Sequence, residues 1–206
     1  MKCKLALAQM NTVLGDVAAN LQKHLEIIDQ AIAQNTDVLI FPDLSLTGYF
    51  LQDLVPGVAL RPQTSDPYFG QLLIASQQLD LVVGFVQEDD RHRFFIASAY
   101  LSGGQVLHIH QKVYLPTYGL FDEGRFFASG DRISAFDTRF GRIGLLVCED
   151  FWHASLPYLL WQDGADLMIF SSSSPGRGLS TEPQLDSARW VDHINRAYAS
   201  LFTTFV

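Results

Sequence analysis

The stretch VLIFPDLSLTGYF, residues 38–50, decides which fold the sequence predicts. Residues 38–41 form a short apolar run of the kind that a buried strand requires. The run reaches a proline and then at once a carboxylate, Asp43, with the turn-forming pair Thr47 and Gly48 just beyond. The acid can simply cap the turn. The carboxyl end of a core strand is also where open α/β sheets place their chemistry, so a base at Asp43 is the sharper hypothesis.

Strand and helix patterns alternate on both sides of this stretch. Apolar residues recur at spacings of three and four, which predicts an amphipathic helix over residues 17–33. The predicted buried stripe is Val17, Leu21, Leu25, Ile28 and Ile32. The other predicted helices cover residues 66–78, 154–163 and 184–199. Strands are predicted over residues 4–10, 38–41, 81–86, 94–101, 105–115, 133–137, 142–148, 167–171 and 201–206. Parallel and hairpin strands with helices between them imply a layered α/β fold.

Length and composition favour one globular domain. The chain has 206 residues, of which 48% are apolar and 17% charged, and it contains no interdomain linker, so a single domain over residues 1–206 is expected. The net charge of −8 disfavours a nucleic acid or an anionic membrane as partner. The final apolar run ends at Val206 without a cap, which suggests a domain that is short at its C-terminus.

Cysteine usage and hydropathy indicate a cytoplasmic protein. Cys3 and Cys148 are too few for a disulfide framework, which suits a reducing compartment. The N-terminal residues 1–10 predict a strand and not a signal peptide, because Gln9 soon interrupts their short apolar run. No apolar segment approaches the ~20 residues that a membrane span needs.

Cys148 is the candidate nucleophile. It ends the apolar run RIGLLVC, residues 142–148, and a helix is predicted soon after it. A strand followed by a sharp turn and a helix presents a nucleophile next to backbone N–H groups. The alternative is a small, inert core residue, as free cysteines often are.

Two further charged residues stand in unusual places. Lys112 lies in the predicted strand over residues 105–115, where an ammonium group is costly unless it meets a carboxylate or a substrate oxygen. Its alternative is a sheet edge from which the side chain reaches solvent. Glu123 lies in a loop dense with aromatic residues, and its alternative is an exposed acid paired with Arg125.

The order FPDLSLTGY, HQKVYLPTYGLFDEGRFF, GLLVCEDFW and SSSSPGRG resembles the nitrilase (carbon–nitrogen hydrolase) superfamily over essentially the whole chain. Within it, the sequence is most similar to the glutamine-hydrolysing amidase domain of glutamine-dependent NAD synthetases. The residues behind that likeness include Gly48-Tyr49, Gln52-Asp53-Leu54 and Cys148-Glu149-Asp150-Phe151-Trp152. The resemblance implies a four-layer α-β-β-α sandwich.

The resemblance also implies a role for each candidate. Cys148 matches the nucleophile that forms a thioester, and Asp43 matches the general base. Lys112 matches the cation that stabilises the oxyanion, with the backbone N–H of Glu149 as a plausible second donor. Glu123 matches a second acid, which orients Lys112. The expected reaction is hydrolysis of a small amide, glutamine among the candidates, to ammonia and a carboxylate.

Substrate contacts and partners follow from the same resemblance. No metal ion or organic cofactor is implied, and His108 and His110, which share one strand face, are interpreted as sheet residues. A homo-oligomer is implied, together with a separately encoded synthetase that accepts ammonia. Tyr118 and Trp152 are interpreted as pocket or core walls, and Ser173 and Arg177 have the alternative of a flexible polar loop. The candidate substrate-binding residues are Tyr118, Phe121, Glu149, Trp152, Ser173 and Arg177.

The sequence departs from the family pattern at the base. The family carries Glu where this chain has Asp43, which draws the carboxylate back by roughly 1.5 Å, one carbon–carbon bond. Ile96 stands where the family tends to carry a polar Asn. Two hypotheses therefore remain: an active thiol amidohydrolase, or a catalytically weakened protein of the same fold that binds or assembles.

Overall fold

The structure, a computed structural model, describes residues 2–176 and 185–206. Its internal contacts divide the chain into two compact units, Met1–Arg132 and Ile133–Val206. Each unit is described by itself.

A five-stranded mixed sheet forms the centre of the first unit, with strands in the order β1-β2-β3-β4-β5. The first three strands pair in parallel, and β3, β4 and β5 pair antiparallel as a meander. The long strands β3 and β4 are buried along most of their length, so they supply much of this unit's core. The strands are β1 Leu5–Leu7, β2 Val38–Ile40, β3 Asp80–Glu88, β4 Phe94–Ser102 and β5 Gln105–Gln111.

Four helices accompany this sheet. They are α1 Val17–Ala33, α2 Val55–Val58, α3 Phe69–Ala75 and α4 Glu123–Phe126, with a 3₁₀ turn at Gln52–Leu54 before α2. Asp16 caps α1, because its carboxylate accepts a hydrogen bond from the N–H of Ala19 at 2.9 Å. The helix ends just before Asn35, which has a φ of 54°.

The buried stripe of α1 differs from the predicted one. Leu25 and Ile32 are only half-buried, whereas two polar residues, Asn20 and His24, are completely buried. The helix boundaries match the prediction because the apolar periodicity is strong. The polar residues were not expected in the core, because periodicity counts apolar side chains only.

The second unit contains a three-stranded sheet in the order β6-β7-β8. The strands β6 and β7 form an antiparallel pair, and β7 and β8 are parallel. The elements of this unit are β6 Phe136–Thr138, β7 Gly141–Val147, α5 Ser155–Gln162, β8 Leu167–Ser171 and α6 Asp186–Phe202, with a 3₁₀ turn at Cys148–Trp152.

The mixed sheets and the helices between them confirm the α/β prediction. The predicted terminal strand over residues 201–206 is wrong, since α6 continues to Phe202 and only a single parallel bridge joins Phe205 to Leu167. The predicted strand over residues 105–115 ends at Gln111, and the loop after it contains the short helix α4. No helix in the described part of the chain is long and apolar enough to cross a membrane.

Candidate active site

Asp43 lies just after β2, in a turn that is almost closed to solvent. Its exposed fraction is 3%. Phe41 continues the sheet one residue past β2, because its N–H donates to the carbonyl of Val82 at 2.9 Å. Leu44 then takes a φ of 48°, and its carbonyl accepts the N–H of Gly48 at 2.8 Å. The segment after Asp43 is therefore a tight turn and not an extended loop.

Gly84 on β3 lies directly against the backbone of this turn. A Cβ at Gly84 would meet the carbonyl oxygen of Pro42 at 2.4 Å and the Cα of Asp43 at 2.7 Å. Both distances are far below van der Waals contact, so only glycine permits this approach. The position of the Asp43 backbone is thus set by the sheet beneath it.

Lys112 and Glu123 form a buried ion pair in the same unit. The Lys112 side chain is 0% exposed and that of Glu123 3% exposed. The ammonium nitrogen lies 2.8 Å from Oε1 and 2.7 Å from Oε2 of the carboxylate. The alternatives from sequence, a solvent-reaching lysine and an exposed Glu123 paired with Arg125, are therefore wrong. Arg125 instead lies 3.8 Å from Asp122.

Tyr49 completes the surroundings of this pair. Its hydroxyl donates to Oε1 of Glu123 at 2.6 Å. Burial raises the pKa of Glu123 above its usual value, and the negative charge of Asp43 adds to that rise. Lys112 and the Tyr49 hydroxyl lower the same pKa. Asp43 is therefore close enough to Glu123 to act on its titration.

The backbone around Lys112 is fixed on both sides. Its N–H donates to the carbonyl of Ile96 at 2.8 Å, and its carbonyl accepts the N–H of Gly130 at 2.8 Å. Ile96 is buried with an exposed fraction of 1%. Ile96, where the family tends to carry a polar Asn, thus pairs with Lys112 through its main chain.

A small cavity opens beside Glu123. Its volume is about 90 Å³. Phe121 packs edge-on against Tyr49, and Tyr118 packs edge-on against Phe121, with ring centres 6.0 Å and 5.7 Å apart. The cavity is lined by Tyr49, Phe50, Leu51, Gln52, Leu120, Asp122, Glu123, Phe126 and Phe127.

A larger hollow of about 580 Å³ lies elsewhere in this unit, by the N-terminus of α1. Its two acids serve the backbone: Asp16 caps α1, and Asp66 accepts the N–H groups of Tyr68 and Phe69. The larger hollow is therefore not a better candidate active site than the small cavity beside Glu123.

In the second unit, Cys148 lies at the sharp turn that ends β7. Its φ is 47°, a left-handed conformation that costs energy for a residue with a side chain. Asp150 is completely buried and accepts the N–H of Val147 through Oδ2 at 3.3 Å, which holds the turn closed. The predicted strand–turn arrangement is present at the thiol.

The chain matches the family model described as carbon-nitrogen hydrolase over residues 4–206. It belongs to the carbon–nitrogen hydrolase family. Among curated proteins, the glutamine-dependent NAD(+) synthetase of Acinetobacter baylyi is 31% identical over 172 residues, which cover 84% of this chain and 31% of the relative. That of Thermotoga maritima is 29% identical over 97% of this chain and 35% of the relative. The chain thus spans about a third of the length of these relatives.

Solved structures confirm the nitrilase-like fold of this carbon–nitrogen hydrolase family member. The glutamine-dependent NAD+ synthetase of Acinetobacter baumannii aligns with a TM-score of 0.82 and 29% identity, over 98% of this chain and 37% of that one. Nit3 of Saccharomyces cerevisiae, a nitrilase superfamily member, aligns with a TM-score of 0.80 over 98% of this chain and 73% of that one. At 21% identity, the second likeness concerns the fold alone.

The remaining predicted contacts of this carbon–nitrogen hydrolase domain have varied surroundings. Tyr118 is 54% and Trp152 41% exposed. Glu149 is half-buried, with one carboxylate oxygen 3.7 Å from Nε2 of His153. Ser173 is exposed, and Arg177 lies outside the described residues. The binding roles of these residues stay predictions.

Sequence reasoning missed the residues that support the base and the ion pair. Tyr49 appeared only as part of a motif, and Gly84, Asn20 and His24 carried no assigned role. A glycine inside an otherwise apolar run, as in residues 81–86, is a weak signal that another backbone segment approaches closely. In residues 2–176 and 185–206, no group of three or more His, Cys, Asp or Glu side chains could hold a metal ion.

Proposed function

We propose that this member of the carbon–nitrogen hydrolase family hydrolyses a small amide through a cysteine thioester, with glutamine as the first candidate substrate. The products are ammonia and the corresponding carboxylate. Two kinds of similarity support the proposal: the family itself, and curated relatives whose names describe them as glutamine-dependent.

The observation that carries the proposal is the buried Lys112–Glu123 pair. Removing two opposite charges from water costs several kcal/mol per ion, and their attraction often only offsets that cost. A pair of apolar residues would therefore fill the same space at no loss of stability. A buried ammonium group has a purpose if it stabilises negative charge on a substrate oxygen, and its partner Glu123 lines a small cavity.

In the proposed first half-reaction, Asp43 takes the proton of the Cys148 thiol, and the sulfur attacks the amide carbon. The carbonyl oxygen becomes an oxyanion, which Lys112 and the backbone N–H of Glu149 stabilise. Asp43 then gives its proton to the leaving nitrogen, and the carbon–nitrogen bond breaks. Ammonia leaves, and the acyl group remains on sulfur as a thioester.

In the second half-reaction, water replaces ammonia. A carboxylate, Asp43 or Glu123, accepts a proton from the water as its oxygen attacks the thioester carbon. The carbon–sulfur bond breaks, the product leaves as a carboxylic acid that ionises, and the sulfur regains a proton. Burial raises the pKa of Glu123, so this carboxyl group holds a proton more readily than an exposed glutamate does.

A second candidate function follows from Asp43 and Gly84. The carboxylate is one carbon shorter than the family's glutamate, and the contact with Gly84 leaves its backbone no room to move toward β3. A misplacement of about 1 Å can reduce a rate on the order of a hundredfold. On this alternative, the protein binds or assembles with its chemistry weakened.

Partners and compartment are part of the same proposal. A homo-oligomer, a synthetase that takes up the ammonia, and a cytoplasmic location are all consistent with relatives that are NAD(+) synthetases.

The decisive experiment uses a diazo-ketone analogue of glutamine as an electrophile. Mass spectrometry of the treated protein is expected to show one adduct on Cys148, and ammonia release from glutamine is expected to stop with adduct formation. Cys148→Ala should abolish both, whereas Cys3→Ala, at the half-buried second cysteine, should change neither. No adduct on Cys148 and no ammonia from a panel of small amides would refute the enzyme and favour the second candidate.

A further inference from the structure

Two buried polar side chains of α1 lie beside the turn that carries Asp43. Asn20 and His24 are one helical turn apart and both are 0% exposed. A polar group at such a position is destabilising unless every hydrogen-bonding atom finds a partner. Their partners therefore indicate what the two residues do.

His24 bonds to the turn through a neutral ring. Its Nδ1 lies 2.7 Å from the carbonyl oxygen of Asn20, so Nδ1 carries the hydrogen and donates it. Nε2 lies 2.9 Å from Oγ of Ser45, and in this tautomer it accepts the hydroxyl hydrogen. The carbonyl of Gly84, 3.3 Å from the same Oγ, is a second acceptor for that hydrogen. The ring also stacks on Phe41, with centres 4.1 Å apart. His24 thus contacts the chain on both sides of Asp43.

Asn20 bonds to the same turn one residue further on. Its amide nitrogen donates to the carbonyls of Val13, at 2.8 Å, and Leu46, at 3.0 Å. Its amide oxygen accepts the N–H of Val13 at 2.7 Å. All hydrogen-bonding atoms of this buried side chain are therefore engaged, and one of them anchors Leu46.

The sheet holds the turn from another direction. The carbonyl of Gly84 accepts the N–H of Leu46 at 3.2 Å, and the absent side chain of Gly84 lets β3 contact the backbone of Asp43. The residues two and three positions after Asp43 are thus tied to α1, and the Asp43 backbone itself rests on β3.

We propose that Asn20 and His24 are positioning residues for Asp43, and that they fix its carboxylate through Ser45 and Leu46. This inference rests on the proposed function, in which Asp43 is the base. The side chains of Asn20 and His24 reach residues 45 and 46 and not the acid, so they act through the turn.

The test removes one hydroxyl group. Ser45→Ala deletes the partner of His24 with the smallest change in volume. Ser76→Ala is the matched control: Ser76 is also buried, its hydroxyl donates to the carbonyl of Leu73 at 2.8 Å, and it lies at the end of α3. Ser45→Thr keeps a hydroxyl and serves as the conservative variant.

Two measurements separate positioning from general stability. Ser45→Ala is expected to lower kcat for ammonia release about tenfold with little change in KM, because a displaced base weakens the transition state more than substrate binding. Amide hydrogens of residues 46–48, which bond to Gly84 and Leu44, should exchange faster in the same variant. Ser76→Ala should change neither, and Ser45→Thr should retain more activity than Ser45→Ala.

The outcomes that oppose the inference are distinct from those that oppose the function. An unmodified chain that releases no ammonia refutes the proposed function and, with it, a role for the turn in catalysis. An active chain in which Ser45→Ala keeps the parental kcat and the parental exchange at residues 46–48 refutes the positioning role alone. Equal losses of kcat in Ser45→Ala and Ser76→Ala would also refute it, since both would then report stability.

Discussion

Lys112 and Glu123 form a buried ion pair, with the ammonium nitrogen of Lys112 within 2.8 Å of both carboxylate oxygens of Glu123. Each charge is tolerated there because the other is present. Replacing one partner should therefore lower the free energy of unfolding more than replacing both.

Lys112→Met is expected to lower the free energy of unfolding by about 3–5 kcal/mol and to abolish amide hydrolysis. The loss of stability arises because Glu123 is left as an uncompensated buried acid. Urea denaturation measures it. The double variant Lys112→Met with Glu123→Leu should recover much of the stability and none of the activity. Recovery of both would show that the pair is not part of the reaction.

Tyr49→Phe removes one donor to Glu123 without a large change in volume. The loss of a hydrogen bond to a charged group should cost about 1.5–3 kcal/mol of stability and raise the pKa of Glu123 further. We expect kcat to fall by about tenfold in the proposed reaction. Tyr158→Phe, at a half-exposed tyrosine on α5, is the control and should match the parent.

Asp43→Glu restores the chain length of the family's base. If the shorter acid limits the rate, kcat should rise, by up to about a hundredfold. Asp43→Asn removes the base and should abolish turnover. A lower rate for Asp43→Glu would mean instead that the turn accommodates only the shorter acid, and steady-state kinetics on glutamine distinguishes the two results.

Gly84→Ala would place a methyl group against the backbone of Pro42 and Asp43. Overpacking of this kind is expected to cost about 1–3 kcal/mol and to displace the base, so that kcat falls as well. Gly57→Ala on α2 is the matched control, because a Cβ there meets nothing within 4 Å. Thermal unfolding and ammonia release of the two variants should diverge.

Stability should depend on pH through His24. Burial lowers its pKa from 6.5 to about 4, so between these values the unfolded chain binds a proton that the folded chain does not. The free energy of unfolding should therefore fall as pH decreases from 6.5 to 4, by about 3 kcal/mol in total from this residue. Glu123, whose pKa is raised, contributes in the opposite direction. In urea titrations at several pH values, His24→Gln should flatten the slope.

The fold could be predicted from the sequence wherever periodicity was strong. The boundaries of α1 and β8 follow from apolar patterns and turn residues. The run after residue 200 could not be assigned in this way. The apolar residues of this run are typical of a strand, yet Leu201 and Phe202 continue the amphipathic helix α6. The helix then ends at Thr203, which has a φ of 52°.

The candidate site could be predicted in part. Lys112 and Glu123 were paired by the family resemblance, and the structure places them in contact. Periodicity cannot show that a buried lysine meets a carboxylate eleven residues away, because that contact depends on how β5 and α4 approach each other. The support of Asp43 by Asn20, His24 and Gly84 is likewise tertiary, and single-sequence patterns do not contain it.

Because Gly84 fixes the backbone at position 43, the length of the side chain there can be used to measure a distance in the site. With the backbone held at one point, the length of the side chain is the main variable between the main chain and the reacting atom. A series of acids at this position can be extended by one methylene at a time with non-natural residues. It would relate kcat to the distance between the main chain and the carboxylate. The maximum of that series would report where the transferred proton must be held.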